Sequence, residues 1–238
     1  MNHLSSRRNF VKAGSTITAG TLLSSPYIGK AVQDKKIIKI GLVGIGGRGS
    51  GAAAQAMNAD PNVALTAIGD LFEDRIKLRS RILKARGRDK YQVTDETTFT
   101  GFDAYKKVID SGVDVVILTT PPAFRPQHLE YAIEKGVHCF FEKPVAVDAP
   151  GVRKVIELAK KAKEKNLNFM SGFCWRHHIP KQEVFGKILD GDLGKVNAMY
   201  STYNGGEVWK KKREDGWNDL EAQTRNWNAH IYGCLGIP

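Results

Sequence analysis

The chain has 238 residues, 42% of them hydrophobic and 26% charged, and carries a formal net charge of +11. This is ordinary globular composition, enough for one large domain or for one domain and part of another. Its three cysteines, Cys139, Cys174 and Cys234, form no C-x-x-C pair, and an odd count is no disulfide framework, which leaves all three to a structural role without a metal.

The chain opens with Ser6-Arg7-Arg8-Asn9-Phe10-Val11-Lys12, followed by a weakly apolar, small-residue stretch over 13–25. A basic segment before a modest apolar one is signal-peptide grammar, and the paired arginines are similar to the twin-arginine consensus. That route carries folded proteins, so the export machinery is an expected partner and a periplasmic or otherwise exported location is expected. Cleavage is expected near Ala31, and residues 1–34 are set apart from the fold. No later apolar stretch is long enough to span a membrane.

The apolar run over 36–43 ends in glycines and reads as a buried parallel strand. Small residues over 51–57 are helix-compatible, 63–68 reads as a second strand, and 72–84 as a basic amphipathic helix. Next come a helix over 103–111, a buried strand over 113–118 and a helix over 127–135 capped by Gly136. A strand over 137–141, a long basic helix over 152–165 and a strand over 167–173 complete the series. Alternating strands and helices imply right-handed βαβ units and a parallel sheet. Beyond this, 182–189 looks helical, 195–203 alternates enough to be a strand, and 204–227 reads as a long polar loop. The expected organisation is an α/β fold. A signal and linker occupy 1–34, and a Rossmann domain with a doubly wound parallel sheet occupies 35–175. The start of an incomplete α+β second domain occupies 176–238.

Gly44-Ile45-Gly46-Gly47-Arg48-Gly49 follows the first strand and opens a helix. In such a turn the first glycine allows the tight bend, the second lets the backbone approach a pyrophosphate, and the third lets helix and strand pack closely. The helix N-terminus then presents amide donors to the phosphates of a nicotinamide dinucleotide. Asp70 ends the second strand about 20 residues on, where a carboxylate accepts from the adenosine ribose hydroxyls and repels a 2′-phosphate; a helix cap is its other reading. This favours NAD. Arg48 and Arg75 keep NADP open, since either could pair with a phosphate. Thr120, Pro121 and Pro122 follow the strand over 113–118, at the sheet edge where open α/β sheets bind ligands. Glu142-Lys143-Pro144 ends the next strand at the same edge. A lysine beside a nicotinamide can serve as general acid or base on a substrate hydroxyl, given burial or nearby positive charge.

On these residues, together with Gly136-Val137-His138-Cys139-Phe140-Phe141 before Glu142, the chain resembles the glucose–fructose oxidoreductase / inositol dehydrogenase / MocA (Gfo/Idh/MocA) family from about residue 37 to 227. The resemblance implies NAD(P)-dependent hydride transfer to or from a sugar or polyol, with Lys143 at the substrate and Glu142 and Pro144 positioning it. It places Phe173-Cys174-Trp175-Arg176-His177-His178 at the cofactor and substrate cleft, where Arg176 would pair with a substrate oxygen and His177 would act as acid or base. Family members with a twin-arginine signal are exported. The family's second domain is an open, mostly antiparallel sheet that supplies an Asp and a His from one helix. Gln223-Thr224-Arg225-Asn226-Trp227 still looks like the family, whereas residues 228–238 do not, so a truncated or frameshifted product is expected, one that binds NAD but turns over poorly.

Two further functions stand beside the sugar or polyol oxidoreductase. One is an NAD-dependent glycosidase of the same superfamily, which oxidises C3 transiently, eliminates the aglycone and regenerates NAD. The other is a non-catalytic dinucleotide-binding fragment. Nucleic-acid binding rests on charge alone: the basic residues fall in the signal, in the helices over 72–84 and 152–165, and at Lys210, Lys211, Lys212 and Arg213, as solvated faces and a loop. A homo-oligomer is open for a full-length form.

Overall fold

The computed structural model describes residues 36–205, 209–230 and 232. The expected export signal and Cys234 lie outside the described residues. The sheet has six strands: β1 (Ile38–Val43), β2 (Val63–Asp70), β3 (Thr98–Thr100), β4 (Val115–Leu118), β5 (His138–Phe141) and β6 (Phe169–Ser171). Every pairing is parallel, and the spatial order is β3-β2-β1-β4-β5-β6. The order reverses between β1 and β4, and the cleft beyond the strands' carboxyl ends at that point is where such sheets bind ligands.

Buried runs explain the central strands. β2 is buried at all but one of its positions and β1 at its last four, as expected of strands covered on both faces. Helices α1 (Gly47–Ala59) and α2 (Glu73–Gly87) cover one face, where Ala53, Met57, Ile76 and Leu83 pack against Leu42, Leu65 and Ile68. Helices α3 (Ala104–Asp110), α4 (Arg125–Glu134) and α5 (Ala149–Glu164) cover the other, where Val108, Leu129 and Leu158 pack against Val116, Leu118 and Phe141. Two further helices follow the sheet, α6 (Ile179–Leu189) and α7 (Asp219–Arg225).

Several boundaries move from where the sequence puts them, each for a local reason. The first helix starts at Gly47 because the glycine turn feeds straight into it. The long basic helix starts at Ala149 because Asp148 caps it, accepting from the Gly151 N–H at 2.7 Å, with Pro150 in the first turn. Strand β3 has only three residues and no buried position, too short for an alternation to register.

Two expectations fail beyond the sheet. Residues 195–203 are not a strand: Met199, Tyr200 and Tyr203 are 72%, 92% and 82% exposed, and among the described residues no strand lies beside them to pair their backbone. The stretch expected as a long loop contains α7, capped by the Asn218 side chain, which accepts from the Glu221 N–H at 2.8 Å. Its seven residues are too few and too polar to show a helical stripe.

Cys139 is buried, and burial pushes its thiol up to about 12, so it packs as a small hydrophobe. Cys174 is exposed. Among the described residues no helix is long and apolar enough to cross a membrane.

Leu129 is fully buried where α4 meets the sheet. Leu129→Ala is expected to lower the stability of the domain by about 2–5 kcal/mol, read from urea unfolding.

Candidate dinucleotide and substrate site

The site grows out of the turn after β1. Gly44 takes φ +92°, and a Cβ there would lie 2.8 Å from the Thr120 nitrogen, so only glycine fits. Its N–H donates to the Gly69 carbonyl at 2.8 Å, and its own carbonyl accepts from the Thr119 hydroxyl at 2.5 Å. Gly49 lies in the first turn of α1, where a Cβ would come within 2.0 Å of the Gly44 oxygen and 2.5 Å of Thr119 Oγ1. Nothing lies within 4 Å of a Cβ at Gly46, and only Arg79 Nη2, at 3.8 Å, lies near one at Gly47. The turn is thus closed on the sheet side and open on the cleft side. The first amides of α1, which have no intrahelical acceptor, lie at that open side, where a helix N-terminus suits an anion.

Asp70 holds this turn from the end of β2. Its Oδ2 accepts from the Ile45 N–H at 2.8 Å and its Oδ1 from the Phe72 N–H at 3.0 Å. Burial pushes the Asp70 carboxyl above its ordinary value, against the lowering effect of the Phe72 amide, the Arg75 charge and the Ile45 amide. It is not a helix cap, because α2 begins from Phe72 with no side-chain cap. It braces the turn and also lines the cleft.

Arg48, weighed as a phosphate partner, is committed elsewhere. Its Nε and Nη2 lie 2.7 and 2.6 Å from Glu142 Oε1, tying the glycine turn to the end of β5. Glu142 is buried, and its N–H donates to the Leu118 carbonyl at 3.0 Å. A Cβ at Gly172 would lie 2.9 Å from that same carboxylate oxygen, so glycine after β6 makes room for it.

A second brace holds the loop after β4. Arg125, at the start of α4, is 1% exposed and donates to both the Thr120 and the Pro144 carbonyls. His128, one turn on, stacks on Tyr105 with ring centres 4.1 Å apart and sets its Nδ1 3.2 Å from Thr120 Oγ1. Burial, and secondarily the Arg125 charge, push the His128 imidazole down to about 3, so it stays neutral at physiological pH. Arg125 and His128 were not singled out from sequence, although both fall on the stripe 125, 128, 129, 132, 133 that buries α4.

A cavity of about 530 Å³ opens over the turn, within the range of small-molecule sites. Of the residues singled out from sequence, Gly44, Gly46, Gly47, Arg48, Gly49, Asp70, Thr120 and Pro121 line it. Ile45 and Pro122 are buried behind its wall. Lys143 is exposed just past β5, and Arg176 and His177 are exposed in the 3-10 turn Cys174–His177 after β6. These three share the sheet edge with the glycine turn but lie outside the cavity. Trp209, Lys211, Thr224 and Trp227, which sequence reasoning left in a loop, do line it. Among the described residues no cluster of His, Cys, Asp and Glu is arranged to hold a metal.

A profile of the Gfo/Idh/MocA proteins, an oxidoreductase family with an NAD-binding Rossmann fold, matches residues 38–173. The chain belongs to this family. It is similar to glycosyl hydrolase family 109 protein 1 of Shewanella sp. (strain ANA-3), with 24% identity over 97% of this chain and 53% of the relative. Among solved structures it is similar to myo-inositol 2-dehydrogenase from Lactobacillus plantarum, with 26% identity, a TM-score of 0.55 and coverage of 68% of this chain and 43% of that one. It is also similar to a mutant of a 3-ketoreductase from Actinomadura kijaniata solved with TDP-benzene and NADP, with 25% identity, a TM-score of 0.52 and coverage of 68% and 46%. The chain spans about half the length of the curated relatives it matches.

The open cradle at Gly46 and Gly47 fits the cofactor of this NAD-binding family: a side chain there would meet the cofactor before it met protein. Gly46→Ala is therefore expected to leave the melting temperature within about 2 °C while NAD affinity falls at least tenfold. Gly49→Ala should instead lower the melting temperature by 5 °C or more, because the intruding methyl group meets backbone. Calorimetric titration and thermal denaturation of both variants separate the two roles.

Proposed function

We propose that this chain carries the dinucleotide-binding half of an NAD-dependent oxidoreductase, moving a hydride between nicotinamide and a sugar or polyol hydroxyl, with Lys143 as the acid/base group. The observation that supports this reading is how Lys143 is held. Its neighbour on one side, Glu142, is paired with Arg48 of the glycine turn, and its neighbour on the other, Pro144, gives its carbonyl to the buried Arg125. The lysine backbone is therefore fixed relative to the turn that receives the pyrophosphate, which is what a proton-transfer group beside a nicotinamide requires.

The bound dinucleotide supplies the hydride acceptor or donor. The chain's residues do the rest. Gly44 to Gly49 seat the pyrophosphate on the amides of α1, and Asp70 presents a carboxylate edge to the ribose. Lys143 Nζ takes the hydroxyl proton when the alcohol is oxidised and returns it when the ketone is reduced. Lys143 is exposed in the chain alone, so the exclusion of water that this role needs comes with the bound cofactor and substrate. Arg176 and His177 stand at the end of β6 as further substrate contacts. The paired arginines Arg7 and Arg8 support export by the twin-arginine route, with action in the periplasm.

Lys143→Met is expected to reduce turnover by about 10²–10⁴-fold with NAD affinity changed less than threefold, measured as NADH formation on a panel of sugars and polyols. Equal loss of binding and turnover would remove the acid/base role.

A second reading, an NAD-dependent glycosidase, is favoured by the similarity to glycosyl hydrolase family 109 over nearly the whole chain. Release of aglycone from an aryl glycoside without accumulation of NADH would decide for it. Stoichiometric NADH would decide for the dehydrogenase.

A further inference from the structure

Residues 209–227 lie outside the sheet yet return to its carboxyl edge, where Trp209, Lys211, Thr224 and Trp227 line the same cavity as Gly46 and Asp70. The rings of Trp209 and Trp227 stand edge to face, 6.1 Å apart at 76°. Asn226 binds the two ends of this segment together. Its Oδ1 accepts from the Lys211 N–H at 2.6 Å, and its Nδ2 donates to the Lys211 and Ala222 carbonyls at 3.2 Å each.

One residue fastens the segment to the Rossmann layer. Arg225, 9% exposed, donates from Nη1 and Nη2 to the two carboxylate oxygens of Asp74, each at 3.0 Å, and from Nε to Glu221 at 2.9 Å. Its guanidinium also lies over the Phe72 ring at 4.0 Å and the Trp217 ring at 4.8 Å. Phe72 and Asp74 are cavity walls at the start of α2. On the other side of the cavity Tyr232 stacks on Phe124 at 5.4 Å and 11°, and its carbonyl accepts from the Ala123 N–H at 3.3 Å. Arg225 thus reaches the end of β2 and Tyr232 the loop after β4, on either side of the point where the strand order reverses.

We infer that residues 209–227 form a roof over the adenosine half of the dinucleotide cleft, and that the Arg225–Asp74 pair is the latch that sets how fast the cofactor leaves. This rests on the dinucleotide reading of the cleft. With the pyrophosphate on the glycine turn, the end of β2 and the start of α2 are the adenosine side, and Lys143 is on the other. The roof's chemistry suits that half, with indole rings for a flat heteroaromatic base and Lys211 beside Arg75 for phosphate and ribose oxygens. Burial, and behind it the Arg75 and Arg225 charges, lowers the Lys211 pKa against the opposing Asp74 and Glu214 carboxylates. The guanidinium holds the Asp74 carboxylate with two hydrogen bonds while lying over both rings, so release of the cofactor waits on opening of the latch. Arg225 acts on the cofactor through Asp74 and Phe72 and is a positioning residue.

The test uses the full chain loaded with NADH and chased with excess NAD, with release followed by loss of NADH fluorescence. Arg225→Met and Asp74→Asn are each expected to speed release at least tenfold, and the double variant no more than the faster single one. AMP affinity should fall in the same variants while nicotinamide mononucleotide affinity stays within twofold, a split that general damage to the domain would not produce. Release within twofold of the parent chain, or equal loss of AMP and nicotinamide mononucleotide binding, would overturn the roof while leaving the dinucleotide site standing. Failure of the parent chain to bind NADH at all would overturn both.

Discussion

The close approach of α1 to the turn that precedes it is the constraint on which the site depends. Residue 49 has no side chain, so the Gly44 carbonyl passes where a Cβ would lie within 2.0 Å, and the Thr119 hydroxyl reaches that carbonyl from the next strand. Because the turn is pressed against β4 in this way, the first amides of α1 aim outward over the strand ends, and the partial positive charge of the helix is delivered to the cleft. Asp70 completes the arrangement by accepting the Ile45 N–H. A buried carboxylate is costly unless it is hydrogen-bonded, and this one receives two backbone donors.

Two arginines then carry the geometry from the turn to Lys143. Arg48 and Arg125 differ in kind. The Arg48 side chain is half exposed, so its pair with Glu142 contributes little stability and acts mainly to orient. Arg125 is sealed in and donates to the carbonyls of Thr120 and Pro144, so its loss would remove the donor group that ties the two loops together. Between them they join the ends of β1, β4 and β5, and Lys143 sits in the span they define. The neutral His128 belongs to the same packing: a charged imidazole beside Arg125 would be repelled as well as desolvated.

The sheet and the phosphate turn were legible in the sequence because their signals are local. Continuous apolar runs mark buried parallel strands, and the glycine spacing marks the turn. Thr98–Thr100 escaped because three half-exposed residues carry no period, and their strand character comes from pairing with β2. The segment over 195–203 misled in the opposite sense, because its alternation has no neighbouring strand to make use of it. Arg125 and His128 sit on a helix stripe in which polar residues read as interruptions, though their burial is what gives them work. Arg225 and Asp74 meet across 151 positions of chain, and no local pattern announces a pair set that far apart. The catalytic candidates Lys143 and His177 and the substrate contact Arg176 were placed by motif and resemblance, and their exposure was not readable, since it depends on what covers the sheet edge.

The central claim is that this edge is built to hold a nicotinamide dinucleotide. Calorimetric titration of the purified chain with NAD and then with NADP tests it most directly. The account expects saturable binding of one NAD per chain, at least tenfold tighter than NADP. Binding of neither dinucleotide, or binding of NADP tighter than NAD, would contradict it.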